Sequence, residues 1–98
     1  MDREVVWSLI ASTDLESIVE YIFRDSESYA ATLACELIAA ARSLAVLSER
    51  GRVVPEYDDP AIREIFVRRY RLIYRVGPVR VEVLRVIHGA RQLPPVSG

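Results

Sequence analysis

Val5 and Trp7 alternate with Val6 in the opening Arg3-Glu4-Val5-Val6-Trp7-Ser8 segment, the period of two that a half-buried strand requires. The period then changes. Leu15, Ile18, Val19, Ile22 and Phe23 recur at the spacing of one helical face, and Thr13-Asp14-Leu15-Glu16 has the form of a capping box. Asp25-Ser26 interrupts the stripe and offers a cap for a second helix. That helix would bury Tyr29, Leu33, Leu37, Ala40, Leu44 and Leu47, with intervening alanines that let two helices approach closely. Gly51 is expected to end it. The pattern predicts an antiparallel helical hairpin over residues 15–23 and 29–47.

Residues 51–60 contain a glycine, two prolines and Asp58-Asp59, and predict a surface loop. Beyond them Ile62 to Val67, Tyr70 to Val76 and Val79 to Ile87 are rich in β-branched and aromatic residues, separated only by Arg68-Arg69 and Gly77-Pro78. Links this short force neighbouring strands to run antiparallel. Tyr70, Leu72, Tyr74 and Val76 form an apolar face suited to receive the helices, and Arg71, Ile73 and Arg75 form a mixed face. The expected fold class is α+β: a strand, a helical hairpin, then a three-stranded antiparallel meander, giving a four-stranded sheet. Residues 1–92 would make one domain, with 93–98 a flexible tail, because Pro94-Pro95 cannot continue a strand.

At 98 residues and 51% apolar composition, one core is available without disulfides or structural metal. Cys35 is alone, which excludes an internal disulfide framework and a cysteine-rich zinc site. With no signal peptide and no apolar run near the ~20 residues of a membrane span, the cytoplasm is the expected compartment. The net charge of −1 is divided unevenly: residues 1–49 carry three arginines and nine carboxylates, and residues 50–98 carry ten arginines and five. A basic second half can hold an anionic partner, whereas the acidic whole argues against gripping nucleic acid by charge alone.

The stretches VWSLIASTDLESIVEYI, GRVVPEYDDPAIREIFVRRYRLIYRV and VEVLRVIHGARQLP follow one another in the order and spacing of the ParE/RelE toxins of plasmid stabilisation systems. The chain resembles that family along nearly its whole length. The resemblance implies a growth-inhibiting toxin and a cognate ParD-like antitoxin, which lays its C-terminal segment across the toxin and alone contacts the operator DNA. It also implies two possible targets. ParE-like members poison DNA gyrase without catalysis; RelE-like members cleave mRNA on the ribosome. A degenerate member serving only as a binding module is a third possibility. No cofactor or metal is implied.

Ribonuclease chemistry would need a base for the 2′-hydroxyl, an acid for the leaving 5′-oxygen and cations for the phosphorane charge. Glu56 or Glu64 could be the base, His88 the acid, and Arg63, Arg71 and Arg91 the cations. Arg63 and Glu64, adjacent on a strand, point to opposite faces and cannot share one acid–base site. Arg71 and Tyr74 lie in the Y-R-L-x-Y stretch that nuclease and non-nuclease branches share, so they report fold or partner contact. His88 at a strand end is expected to be structural, Glu56 a solvated loop charge, and Trp7 and Tyr21 part of the core. Gly89-Ala90 stands where endonuclease members tend to carry an aromatic residue, the chain has no lysine, and its pI is near 5.8. These departures favour a non-catalytic, ParE-like toxin, with Arg71, Tyr74, Arg75, Arg85 and Arg91 as candidate antitoxin or target contacts.

Overall fold

The computed structural model describes residues 2–90, so Arg91 and the expected 93–98 tail lie outside the described residues. Strand β1 (Glu4–Trp7) leads into helix α1 (Leu9–Phe23) and helix α2 (Glu27–Ser43). A two-residue strand β2 (Arg52–Val53) follows, and then β3 (Ile62–Val67), β4 (Tyr70–Val76) and β5 (Arg80–His88). The sheet order is β1-β5-β4-β3-β2, antiparallel except for the β1–β5 pair. The expected α+β fold is present with one strand more than the pattern predicted. Arg52 and Val53 pair with Glu64 and Arg63, so part of the predicted 51–60 loop is an edge strand too short to show a period.

The helix starts differ from the reading of the pattern. α1 begins at Leu9, because Ser8 leaves β1 with extended dihedrals and its Oγ accepts the Ala11 amide at 3.0 Å. Ser8 still donates its own amide to Val83, so the chain turns from strand to helix on that one residue. Thr13 lies a full turn inside the helix and donates back to the Leu9 carbonyl. In α2, Ser26 caps the Tyr29 amide as expected, but the helix stops at Ser43 with Leu44 as C-cap, well before Gly51. Gly51 has a different task. A Cβ there would collide with the Glu64 carbonyl and lie 2.6 Å from the Tyr74 hydroxyl, which receives the Gly51 amide at 2.9 Å.

Both helices cover one sheet face. Leu33, Leu37, Ala41 and Leu44 of α2 and its cap meet Ile65, Leu72, Tyr74, Val81, Val83 and Val86, all buried, with Trp7, Leu15, Ile18 and Ile22 packed around them. Tyr21 is 69% exposed and not core, and Tyr29 and Leu47 lie at stripe ends that reach past the sheet. Tyr74 pairs with Val83 while Ile73 pairs with Arg85, so Leu84 is the extra residue of a bulge. That bulge lets Val83 and Val86 both face the helices, which strict alternation forbids. On the other face a smaller cluster forms from Val54, Ile62, Ile73 and Ile87, with Tyr57 and Leu84 against it. The tight β3–β4 turn places Arg68 at φ 54°, and Glu36 of α2 receives its guanidinium through two hydrogen bonds of 2.6 and 2.8 Å.

Candidate functional site

The helix-free face of the sheet carries Glu64 and Phe66 of β3, Arg71 of β4 and Ile87 of β5, with Arg52 at the edge and Glu56 from the β2–β3 loop. Glu64 is fully buried and accepts from two guanidinium groups, Arg52 Nε at 2.6 Å and Arg71 Nε at 2.6 Å. The two terminal nitrogens of Arg71 donate side by side to Glu56, each at 2.9 Å. Glu56 is therefore not a freely solvated loop charge: an arginine fork meets its carboxylate edge to edge. Hydrogen bonding to Glu56 holds Arg71 far above the ordinary arginine value; burial opposes this, and Glu64 adds to it. Two arginines and two glutamates leave the cluster neutral. Beside it opens a shallow pocket of about 380 Å³ lined by Arg52, Pro55, Glu56, Phe66, Arg71 and Gly89. Arg52 lies 5.6 Å from the centroid of the Phe66 ring, which is itself 53% exposed.

Of the described candidate catalytic residues, Glu56, Glu64 and Arg71 come together, whereas Arg63 and His88 do not join them. His88 pairs with Tyr70 across β4 and β5 and meets its ring edge-on at 5.7 Å. Tyr70 shares its face with Leu72 and Tyr74, under the helices, whereas Arg71 and its partner Ile87 face the other way. His88 and the Arg71 carboxylates are thus on opposite faces of one sheet. The exposed His88 ring accepts the Ala90 amide at Nδ1. Arg63 spans the ends of the loop, donating to the Gly51 carbonyl at 2.9 Å and the Pro60 carbonyl at 3.1 Å. Arg91 lies outside the described residues.

The candidate contact residues also divide. Tyr74 is fully buried, so it supports the site from beneath and presents nothing to a partner; burial pushes its hydroxyl above the ordinary tyrosine value. Arg75 is exposed on the open face, 3.6 Å from Glu82. Arg85 reaches Asp14 of α1 through bonds of 2.8 and 3.2 Å, and Asp14 also accepts the Val86 amide, left without a β-ladder partner where β1 ends. The capping-box reading had assigned Asp14 to the start of α1, and its role across the sheet edge was hidden. Arg52 and Phe66 were likewise missed. The available signal was alternation in β3, which places Ile62, Glu64 and Phe66 on the Arg71 side.

A family model described as the ParE toxin of the type II toxin–antitoxin system, parDE, matches residues 5–93. The chain belongs to the ParE toxin family. A Caulobacter vibrioides protein named Toxin RelE2 is 37% identical over 89 residues, covering 90% of this chain and 97% of its own length. The same fold occurs in a solved chain described as the chromosomal ParDE TA system from P. aeruginosa, with a TM-score of 0.72 at 18% identity over 88% of this ParE-family chain and 95% of that one. No helix among the described residues is long and apolar enough to cross a membrane.

Proposed function

We propose that this ParE-family chain arrests growth by binding DNA gyrase, without catalysis, in the cytoplasm, and that a cognate ParD-like antitoxin neutralises it. The observation that carries the non-catalytic part is the separation of His88 from Glu56, Glu64 and Arg71 by the thickness of the sheet. A general acid and a general base must both reach the scissile phosphate, within hydrogen-bond distance of the protons they move. The cation that would meet the phosphate, Arg71, is already matched by two carboxylates. The choice of gyrase rests on the ParE-like sequence features. The open face, where Arg75 is exposed and Arg71 borders the pocket, is the proposed partner surface, and Arg85 and Arg91 are proposed as further contacts. Operator DNA would be reached only through the antitoxin.

A second reading has one specific support, the name RelE2 on a relative 37% identical, and would make the chain an mRNA endonuclease on the ribosome. Inducing the chain in bacteria, with and without its neighbouring antitoxin gene, tests the toxin reading. Growth should stop in the first case and continue in the second, and the purified chain should inhibit gyrase supercoiling. Normal growth with confirmed soluble expression would contradict it and favour a plain binding module.

A further inference from the structure

Glu56 differs from the other members of the charge cluster in one respect. Arg71 and Glu64 are fixed by strands, and Arg52 by the edge strand, whereas Glu56 comes from the β2–β3 loop and lines the pocket beside Arg71. Its carboxylate fills the terminal fork of Arg71, while the Nε side of the same guanidinium is held by Glu64. The Glu64 arm therefore persists if the Glu56 arm lets go. The pocket at that point has an apolar wall, Phe66 and Pro55, beside a second cation, Arg52.

We propose that Glu56 is an internal stand-in for a partner's carboxylate, and that an acidic side chain of a bound protein segment takes its place on Arg71 with an adjoining apolar side chain against Phe66. The occupant is a carboxylate because that group already fills the site. An arginine fork accepts a planar carboxylate with two parallel bonds. Exchange of one carboxylate for another keeps the cluster neutral, so Glu64 and Arg71 never become an unmatched buried charge. This inference rests on the reading of the open face as a partner surface, but its test does not involve growth or gyrase.

The test titrates acetate, then acetyl-Glu-Leu-amide, then inorganic phosphate into the wild-type chain and Glu56→Ala, following the ¹⁵N side-chain signal of Arg71 at constant ionic strength. Glu56→Ser replaces Glu56→Ala if the latter does not fold. Acetate should saturate the variant at a concentration about tenfold or more below that needed by the wild type, where the tethered carboxylate competes at high effective concentration. The dipeptide should bind the variant more tightly than acetate, and phosphate no better than acetate. An Arg71 signal unmoved by acetate in the variant, equal responses in variant and wild type, preference for phosphate, or no gain from the leucine would each overturn the proposal. Loss of growth arrest with an intact titration would instead count against the toxin reading alone.

Discussion

Taking a carboxylate out of water costs several kcal/mol unless its lone pairs are answered by charge and hydrogen bonds together. Glu64 meets that condition with two guanidinium donors, and Arg71 in turn has two carboxylates. The members are not equivalent. Glu64→Gln removes the buried charge that Arg71 and the exposed Arg52 share, while Arg71 keeps Glu56, and should lower the unfolding free energy by about 2–3 kcal/mol. Glu56→Gln acts at the pocket's rim and should cost roughly 1.5 kcal/mol or less. Urea midpoints at unchanged slope measure both, and equal losses would contradict this division. Arg68 and Glu36 form a second clamp at the β3–β4 turn, where Arg68 holds the Glu36 carboxyl below the ordinary glutamate value. A depressed carboxyl pKa stabilises above the unfolded-state value and loses that contribution as pH falls through the folded value. A ¹³C titration of the Glu36 carboxyl should show its midpoint below that of a free glutamate. A midpoint at or above that value would contradict the clamp.

Among the elements, the helix starts separate two sequence signals of the same kind. Ser8 and Thr13 are both cap formers, and only Ser8 sits where the chain is still extended and an orphan amide lies in reach. Ser8→Ala should therefore cost about 1 kcal/mol of stability, whereas Thr13→Ala, on an exposed inner turn, should stay within about 0.5 kcal/mol. Thermal melts of the two variants measure the contrast, and a larger loss at Thr13 would restore the later start. The apolar periods predicted the sheet, its helix-facing residues and the hairpin because burial acts on every turn of a helix and every second residue of a strand. They overran at Phe23, Tyr29 and Leu47, where an apolar position continues past the surface it would pack on. β2 was invisible for a related reason: a two-residue strand has no period.

Across the whole molecule, the sheet works as a partition. Its helix-covered side holds the core and leaves His88 at its margin; its open side gathers a neutral cluster of charge beside an exposed phenylalanine. Sequence alone provided the residue types for acid, base and cation, and strand alternation separated Arg63 from Glu64. The same rule applies to Arg71 and His88, but on different strands it requires the β4–β5 register, and the Leu84 bulge breaks any simple count along β5. The pairing of Glu56 with Arg71 was beyond reach of pattern because a loop carboxylate has no face until the loop is placed. In the proposed non-catalytic action no proton passes through His88. The direct measurement is primer extension on translated mRNA in the first minutes after induction of the wild-type chain and of His88→Ala. Both should arrest growth with the message uncut. Prompt cleavage at the ribosomal A site by the wild type, lost in His88→Ala by about 100-fold, the scale of a missing general acid, would contradict it.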